Sequence, residues 1–503
     1  MKERSVKRRI LFVALALLLA LTCTACSNNE EQSRQQSEPE ISQTEETGMD
    51  KPVVYSVPNG EEKSIDYVVT AWTEKNGEKQ SVDCFTAKVG TQSNGTSSVS
   101  YETMSFCTLD YDFSSTLYIS VTPSQTHSSA KVLPASAGAE YEYKDEAVTL
   151  SLNKPSNLSV EFDGDINHNL FVFAGEYDED KPKSGDRGVI YYGAGTHDVG
   201  EIKLNSNQTL YIDGGAVVYG YVKAENADNI SIMGSGILDG SKVDHAYTGS
   251  RKRMVSLVKC TNVTIDGVTV RDASTWGVVL DRCSDVTVTN HKQISYNFNS
   301  DGFDILSCTN VLIDGAFLRN YDDNISLKAY NNTDCTGITM RNSTLWADCA
   351  HNMLIGPEAK EAEYENKFSD ILFYNIDVLE SKENSDFYRG VMAITCTDNG
   401  VFDGITWDTI RVERMTKGRL INFRYSNDYG TYFGKSVSNI TIKNITCSAK
   451  TASDDYIYGN SASPMKNIVI ENFTYLGEKV THDRFEKCAR FVTLTVDKVE
   501  KEY

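Results

Sequence analysis

The sequence predicts an all-β protein in which an N-terminal β-sandwich precedes a right-handed parallel β-helix. Three observations predict this fold class. One short unit recurs along the second half of the chain, and its apolar positions are mostly Ile and Val. Helix signals are weak in these repeats, and the first part of the chain contains short runs in which apolar and polar residues alternate. Alternation with a period of two is typical of half-buried strands.

The recurring unit consists of a turn residue, two apolar positions separated by one polar residue, and a second alternating run. Its nine copies begin at Asn229, Asn262, Asp285, Asn310, Gly337, Asp370, Gly404, Asn439 and Asn467. The successive intervals are 33, 23, 25, 27, 33, 34, 35 and 28 residues. A near-constant interval with insertions indicates a solenoid, because each unit can bury its apolar face only against its neighbours.

Other repeat folds fit this unit less well. Leucine-rich repeats need a Leu-rich consensus and usually a helical segment, and a propeller blade needs about forty residues in four strands. The Asn-x-Ser/Thr sequences, as at Asn229 and Asn262, resemble glycosylation acceptors. In a β-helix, however, Asn is a turn residue that tolerates the left-handed region and can stack between coils. We therefore interpret these residues as structural.

The region before the repeats predicts the sandwich. Short alternating runs occur at residues 65–69, 117–121 and 148–152, and polar or Gly-containing segments separate them. About 450 residues exceed one ordinary core, so two domains are expected. We expect residues 51–180 to form the sandwich and residues 186–503 to form a catalytic β-helix.

The N-terminus predicts export and a lipid anchor. A positive segment is followed by an apolar stretch, Ile10 to Leu21, that suits a signal peptide better than a membrane span. Residues 22–26 resemble the lipobox of bacterial lipoproteins, with Cys26 as the lipidated residue; a conventional cleavage site nearby is the alternative. Residues 1–25 would then be removed, and the polar residues 26–50 would form a disordered tether. This predicts attachment to the outer face of a bacterial membrane.

The net charge and the spacing of the cysteines limit which ligands and metal sites are expected. Residues 1–25 carry five positive charges and one negative charge, so their removal changes the net charge from −21 to −25. Such a chain is not expected to bind nucleic acid, and a polyanionic substrate would need a local basic patch. The ten cysteines from Cys84 to Cys488 lack CxxC and zinc spacings, which favours buried free thiols.

Two adjacent repeats carry a cluster of carboxylates that the other repeats lack. One reads NSDGFD from Asn299 to Asp304, and the next reads NYDDN from Asn320 to Asn324. Asp301 lies 21 and 22 residues before Asp322 and Asp323, close to one turn of the solenoid. Residues one coil apart stack at the strand spacing of about 4.8 Å. The three side chains are therefore expected to be neighbours.

Crowded carboxylates are suited to acid–base chemistry. Like charges at this separation should raise at least one pKa, which leaves a protonated acid beside an ionised base. Glycoside hydrolysis uses such a pair. A calcium site and solvated turns remain alternatives. Strand alternation counted back from Ile325 puts Asp323 inward and Asp322 outward, so both reach one cleft only if the backbone bends there.

On these motifs the chain resembles the polygalacturonases, family 28 of the glycoside hydrolases, whose pattern is N-T-D-G followed by D-D. It is also similar to the related dextranase and isopullulanase family, family 49, which places a β-sandwich before its β-helix. The similarity to these pectin-lyase-like folds runs from Thr209 to about Glu413. It implies an inverting hydrolase that acts on an extracellular polysaccharide or oligosaccharide.

The resemblance also implies residue roles. Asp322 would be the general acid, and Asp301 with Asp323 would hold the attacking water. His351 occupies the place of the G-H-G motif, although Ala350 and Asn352 replace both glycines. The other residues that we expect to bind substrate are Asn299, Asp304, Lys328, Glu358 and Arg389. No metal or organic cofactor is expected.

One departure from the polygalacturonase pattern bears on the substrate. The G-V-R-I-K segment that holds the uronate carboxylate aligns with residues 390–394, where Met392 and Ile394 replace the two cations. Arg389 lies just before this segment. We therefore expect a neutral glycan, similar to dextran or pullulan, and a chain that acts as a monomer. The alternatives are a polygalacturonase that uses Arg389, a non-catalytic glycan-binding β-helix, and a polysaccharide lyase.

Overall fold

The computed structural model describes residues 48–94, 98–245, 251–330, 332–359, 364–382 and 390–503. The predicted signal peptide, the lipidation site Cys26, most of the predicted tether and Arg389 lie outside these ranges. Residues 48–503 form one compact unit. Within the described ranges, no helix is both long and apolar enough to cross a membrane.

The N-terminal part folds as two sheets that face each other. Its elements are β1 Val53–Val54, β2 Tyr67–Thr73, β3 Gln80–Val82, β4 Phe85–Asn94, β5 Ser98–Tyr111, β6 Leu117–Pro123, β7 Ala130–Leu133, the 3₁₀ turn Ala135–Ala137, β8 Glu140–Lys144, β9 Ala147–Leu152, β10 Ser156–Phe162 and β11 Leu170–Glu176. One sheet has the order β1-β5-β11-β10-β7, with β4 also paired to β5, and the other has the order β3-β2-β6-β9-β8. The apolar faces of both sheets form one core. The predicted sandwich is confirmed.

The rest of the chain is a long coil of mostly parallel strands. Its elements are β12 Val189–Tyr192, β13 Gly195–Leu204, β14 Thr209–Ile212, β15 Ala216–Glu225, β16 Asp228–Met233, β17 Ile237–Asp239, β18 Val255–Val258, β19 Thr261–Asp266, β20 Thr269–Arg271, β21 Val278–Asp281, β22 Ser284–Thr289, β23 Lys292–Ser295, β24 Phe303–Leu306, β25 Thr309–Asp314, β26 Phe317–Asn320, β27 Ile325–Lys328, β28 Cys335–Ala347, β29 Met353–Ile355, β30 Lys367–Ser381, β31 Met392–Cys396, β32 Val401–Val412, β33 Ile421–Tyr425, β34 Ser436–Cys447, β35 Tyr456–Tyr458, β36 Met465–Tyr475, β37 Glu478–Lys479, the 3₁₀ turn His482–Phe485, β38 Ala489–Arg490, β39 Val492–Val496 and β40 Val499–Glu502. The predicted parallel β-helix is confirmed.

Each winding contributes to three stacked sheets. Sheet one contains β16, β19, β22 and β25, sheet two contains β17, β20, β23 and β26, and sheet three contains β18, β21, β24 and β27. From β28 onward, single long strands such as β28 and β30 run through sheet one and sheet two. Strands of β-branched residues favour this geometry, because branched side chains pack well on a pleated surface.

The strand register confirms the repeat intervals read from the sequence. In sheet one, Ile230 pairs with Val263, and Val263 pairs with Val286, which are steps of 33 and 23 residues. The following partners, Val311, Ile338, Ile371, Ile405, Ile440 and Ile468, continue the predicted series. These side chains belong to one continuous core inside the coil.

Asparagine ladders hold the windings in register at their corners. Asn229 and Asn262 have φ values of 56° and 54°. The amide of Asn262 donates to Oδ1 of Asn229, and that of Asn229 donates to Oδ1 of Asn207, at 2.6 Å and 3.1 Å. The left-handed conformation costs a short amide side chain less than it costs other residues. This confirms the structural interpretation of the Asn-x-Ser/Thr sequences.

The cysteines are also part of the coil's packing. All ten cysteines between Cys84 and Cys488 are buried and free. Several stack in neighbouring windings, where the backbone N–H of Cys260 lies 3.4 Å from Sγ of Cys283, and that of Cys283 lies 3.3 Å from Sγ of Cys308. The prediction of buried free thiols is confirmed.

An aromatic cluster joins the sandwich to the coil. Phe171 and Phe173 of the sandwich pack against Phe317 of the coil, with ring centroids 4.8 Å and 5.4 Å apart. Trp346, which is fully buried, packs against Phe171 at 6.1 Å. The sandwich thus covers part of the outer surface of sheet two and supports the windings from outside.

Candidate active site

The predicted carboxylates lie in the segments that lead from sheet two to sheet three, which we call the site corner. These segments are residues 272–277, 296–302, 321–324 and 348–352. Backbone N–H groups of Gly277 and Gly302 donate to the carbonyl oxygens of Asp301 and Asp323, both at 2.8 Å. The N–H of Asn324 donates to the carbonyl oxygen of His351 at 2.9 Å. Asp301, Asp323 and His351 therefore lie in successive windings.

A turn resolves the conflict between strand alternation and a shared cleft. β24 and β27 begin only at Phe303 and Ile325, so the carboxylates precede the strands and do not follow their alternation. Asn299 has a φ of 55°, which places the chain in the left-handed region just before Asp301. The N–H of Asn299 then donates to Oδ2 of Asp322 at 2.9 Å. The chain also bends at Tyr321, Asp322 and Asn324, just before β27, where the alternation argument requires a bend.

Asp301 is a buried carboxyl group whose ionisation is disfavoured by its surroundings. Its side chain is 3 % exposed, and Oδ1 accepts no hydrogen bond from any described residue. Burial raises the pKa of Asp301 well above its usual value, and the charges of Asp304 and Asp322 raise it further. Among the crowded carboxyl groups, Asp301 therefore favours its protonated form.

Asp323, one winding away, has the opposite tendency. Oδ1 of Asp323 accepts hydrogen bonds from Nδ1 of His351 at 2.6 Å and from the N–H of the same residue at 3.0 Å. Burial alone would raise the pKa of Asp323, but the interactions with His351 outweigh it and lower the pKa below its usual value. Two carboxyl groups in adjacent windings therefore differ in their readiness to hold a proton. Environments that separate two pKa values in this way indicate an acid–base site.

Asp322 directly precedes Asp323 in the chain and is only partly buried. Its second oxygen, Oδ1, accepts a hydrogen bond from the N–H of Asp323 at 3.1 Å. Together with the bond from Asn299, this fixes the carboxylate through backbone donors at both oxygens. Asp322 is thus the member of the DD pair that is both anchored and accessible.

A buried ion-pair network lies beside the carboxylates on the outer face of sheet three. Nζ of Lys328 is 2.7 Å from Oδ1 of Asp304 and 3.1 Å from Oε2 of Glu358, and the hydroxyl of Tyr330 donates to the same Glu358 oxygen at 2.5 Å. Nζ also lies 3.8 Å from the ring centroid of Trp276. Burial raises the pKa of Asp304 to about 6 even though Lys328 lowers it.

In this network, the residues predicted to bind substrate, Asp304, Lys328 and Glu358, bind one another. Asp304 and Lys328 are 0 % and 4 % exposed, so their charged groups contact each other, whereas Glu358 remains partly accessible. Burial would lower the pKa of Lys328, but Asp304 and Glu358 outweigh it and raise the pKa well above its usual value. Lys328 is therefore held as a cation inside the site.

Sequence reasoning did not identify a ladder of amides behind the carboxylates. Nε2 of Gln293 donates to the carbonyl oxygen of Asp301 at 2.9 Å and to Oδ1 of Asn320 at 2.8 Å. Nδ2 of Asn320 donates to Oδ1 of Asn324, and Nδ2 of Asn324 donates to Oδ1 of Asn352, both at 3.0 Å. The Asn at each end of NYDDN and the one after His351 are the only sequence signal for this ladder.

The aligned Arg-Ile-Lys positions lie inside the coil. Met392 and Ile394 belong to the apolar core, so side chains at these positions cannot reach a substrate. The next winding carries two arginines near the surface. Arg419 is 8 % exposed and makes no ion pair with any described residue. Arg424 pairs with Asp428 at 2.8 Å.

No group of three or more His, Cys, Asp or Glu side chains within the described ranges has the arrangement of a metal site. The chemistry available at the site corner is proton transfer between carboxyl groups, supported by the cation of Lys328 and by the amide ladder.

Comparison with known proteins places this geometry in a family. The profile of glycosyl hydrolases family 28 matches residues 196–491. The endo-polygalacturonase of Sclerotinia sclerotiorum is 26% identical over 230 residues, which are 46% of this chain and 53% of that protein. Endopolygalacturonase B of Aspergillus niger is 29% identical over 203 residues, which are 39% and 51% of the two chains. The chain thus spans about half the length of these curated relatives.

A solved structure shares the whole layout. Dex49A from Penicillium minioluteum superposes with a TM-score of 0.63 at 15% identity, over 86% of this chain and 92% of that chain. This likeness extends beyond the coil and shows the fold. Since the family profile covers more than half of the sequence, including all three site carboxylates, this chain belongs to family 28 of the glycosyl hydrolases.

Proposed function

We propose that this protein hydrolyses glycosidic bonds of a neutral extracellular glycan with inversion of configuration. The observation that carries the proposal is the meeting of Asp301, Asp322 and Asp323 in adjacent windings of one corner, with the pKa of Asp301 raised and that of Asp323 lowered. A non-catalytic binding surface would gain nothing from burying carboxylates together, since each one costs free energy to desolvate.

Each carboxyl group has a role in the proposed reaction. Asp322, anchored and partly accessible, donates its proton to the glycosidic oxygen as the bond to the anomeric carbon breaks. Asp323, held ionised by His351, takes a proton from water, and the resulting hydroxide attacks the anomeric carbon from the opposite face. Asp301, which favours its protonated form, keeps its proton and orients this water through a hydrogen bond. In an inverting enzyme the two faces are served by separate carboxyl groups.

The neutral substrate is inferred from charge. The positions aligned with the polygalacturonase cations are Met392 and Ile394, and Lys328 is neutralised by Asp304 and Glu358. A uronate carboxylate at the site corner would meet several carboxylates and would be repelled by them. Dextran and pullulan are therefore the first substrates to test.

The test measures reducing ends released by the purified full-length chain from dextran, pullulan, polygalacturonate and rhamnogalacturonan. We expect cleavage of a neutral polymer and a loss of about 10²–10⁴ in kcat for Asp322→Asn, as for the removal of a general acid. NMR of the first product should show the inverted anomer. Wild-type activity in Asp322→Asn removes that residue from the acid role, and an ultraviolet-absorbing product indicates elimination by a lyase.

Polygalacturonate is the second candidate substrate, and Arg419 is the observation that favours it. A buried arginine without a carboxylate among the described residues can bind a uronate through paired N–H donors. If Arg419 binds uronate, the wild-type chain should cleave polygalacturonate and Arg419→Ala should raise KM with little change in kcat. Release of ends from polygalacturonate alone would refute the neutral glycan. Arg389 lies outside the described residues, and its role in this alternative stays a prediction.

We infer an extracellular location from the predicted signal peptide and from the polysaccharide substrate that the family implies. Lipidation of Cys26, attachment to a bacterial membrane and a monomeric state stay predictions. Mass spectrometry of the mature N-terminus tests the anchor, because lipidation would add acyl groups to Cys26 and Cys26→Ser would abolish the addition.

A further inference from the structure

A small apolar cluster adjoins the site corner and is separate from the core of the coil. Three of its side chains are buried, Val99 of the sandwich with Tyr321 and Cys349 of the coil, and Tyr296 and Phe298 of the coil pack against them. The rings of Phe298 and Tyr321 meet edge to face, with centroids 5.6 Å apart and planes at 89°. We call these five residues the corner cluster. All four of its coil members belong to segments of the site corner.

Three members of the corner cluster stand next to groups of the proposed reaction. Tyr321 directly precedes Asp322 in the chain. Phe298 directly precedes the residue whose N–H donates to Oδ2 of Asp322 at 2.9 Å. Cys349 lies two residues before His351, which donates to the carboxylate of the proposed base at 2.6 Å. A shift of the corner cluster therefore moves both the proposed acid and the side chain that fixes the proposed base.

The sandwich closes this cluster with the paired strands β4 and β5. Val99, at the start of β5, pairs with Ser93 of β4 and is 8 % exposed. Gly90 of β4 lies against the ring of Tyr321, since a Cβ atom on this glycine would lie 2.2 Å from Cδ2 of the ring. Carbon atoms in contact need about 3.5–4.0 Å, so only a glycine lets the strand approach the ring this closely.

A buried arginine makes a second connection between the sandwich and the same windings. Arg319 is 0 % exposed and lies on β26, just before the DD pair. Its Nη1 donates to the carbonyl oxygen of Ile166 at 2.7 Å and to Oδ1 of Asn169 at 3.1 Å, both in the sandwich. Its Nε and Nη2 donate to the two oxygens of Asp348, at 3.0 Å and 3.3 Å. Two successive segments of the site corner are thus fixed to the sandwich by polar contacts as well as apolar ones.

We propose that the sandwich is part of the active site, in which Val99 and Gly90 are positioning residues that hold Asp322 in place through Tyr321. The inference rests on the proposed function. Neither Val99 nor Gly90 is among the groups that transfer protons, so their effect on the reaction passes through the corner cluster. A displacement of about 1 Å at a reacting group can lower the rate about 10²-fold. The packing behind the carboxylates therefore sets kcat without contributing to the binding of substrate.

The experiment separates kcat from KM on whichever of the four polymers the full-length wild-type chain cleaves. Val99→Ala opens a gap beside Tyr321, and Gly90→Ala forces the ring of Tyr321 to move by about 1 Å. We expect kcat to fall about 10-fold in Val99→Ala and about 10²-fold in Gly90→Ala, with KM within about twofold of the wild type. Val99→Ile keeps a branched apolar side chain in the corner cluster and should retain a kcat near that of the wild type.

Val82→Ala is the matched control, because it makes the same change in the core of the sandwich itself. Val82 is 3 % exposed and packs between the two sheets, in a core to which no residue of the coil belongs. We expect Val82→Ala and Val99→Ala to lower the urea concentration at the midpoint of unfolding by similar amounts. Only Val99→Ala should lower kcat. A merely structural Val99 would instead behave like Val82.

The remaining outcomes overturn the proposal. An unchanged kcat in folded Val99→Ala and Gly90→Ala does so, and so does an equal loss of kcat in Val82→Ala, which would assign the effect to stability. A loss that appears only as a raised KM would place these residues in substrate binding. If Gly90→Ala fails to fold, Val99→Ala decides, because it removes atoms and adds none. A wild-type chain that cleaves none of the four polymers refutes the proposed function itself, and the positioning of its carboxylates with it.

Discussion

Replacing Lys328 with Met tests how the site corner keeps so many carboxylates together. Lys328 is the cation between Asp304 and Glu358, at 2.7 Å and 3.1 Å, and it is nearly inaccessible to water. Met fills a similar volume but carries no charge. The variant therefore leaves two carboxylates beside an apolar side chain without changing the packing of the strand.

The size of the effect follows from burial. Removing one partner of a buried ion pair costs about 3–5 kcal/mol, because the remaining charge stays desolvated. The lost contact with the ring of Trp276 adds about 0.5–2 kcal/mol. The double variant Lys328→Met with Asp304→Asn removes both charges of the shorter pair, so it should be less destabilised than the two single losses added together. We expect a coupling free energy of about 1–3 kcal/mol.

Urea denaturation followed by tryptophan fluorescence measures these free energies. Lys223→Met, which breaks the exposed pair with Glu201, is the control and should unfold like the wild type. Single-variant losses that simply add would refute the reasoning, since they would mean that Lys328 and Asp304 do not stabilise each other. Lys328 also lowers the pKa of Asp323, the proposed base, so the variant should shift the acidic limb of kcat/KM to higher pH.

Three further predictions concern other parts of the structure. His351→Gln should raise the pKa of Asp323, because His351 lowers it, and a plot of kcat/KM against pH should show its acidic limb at higher pH; an unchanged limb would contradict the role of His351. Trp346→Ala should cost about 3–5 kcal/mol in urea denaturation, because it opens a void between sandwich and coil; a loss under 1 kcal/mol would mean that the joint repacks. Asn262→Ala should lower the free energy of unfolding by about 1–2 kcal/mol, because Ala tolerates a φ of 54° poorly and cannot form the ladder hydrogen bond. Asn262→Gly should lose only the ladder hydrogen bond, because Gly tolerates this φ. Equal losses in the two variants would mean that the left-handed backbone conformation does not contribute to the difference.

The repeat intervals could be predicted from the sequence because they follow from the stacking of apolar side chains between neighbouring windings. Each winding must place a small apolar side chain, as at Ile230 and Val263, directly over its neighbour in the core. A strand shifted by one residue would turn its apolar side to the outside, so the register is fixed by the pattern itself. The same step of 22 residues placed Asp301 over Asp323.

Other features depend on contacts that no local pattern contains. Alternation counted back from Ile325 does not decide the orientation of Asp322 and Asp323, because β27 begins only at Ile325. The sequence does not show that Met392 and Ile394, at the positions aligned with the Arg-Ile-Lys cations, both face the core. The ion pair between Lys88 of the sandwich and Asp272 of the coil joins the two parts of the chain, so no repeat could reveal it.

The three corners of the coil differ in how much their length varies. Between sheet one and sheet two, the long strands pass through a single left-handed residue, as at Asn342, Asn375 and Asn444. The site corner varies from the four residues 321–324 to the seven residues 296–302. The corner between sheet three and sheet one also varies, from the two residues 282–283 to the ten residues 426–435, so the corner between sheet one and sheet two is the one that stays fixed. Loops exchanged at the two variable corners should therefore leave neighbouring windings aligned, because the corner between sheet one and sheet two keeps its length.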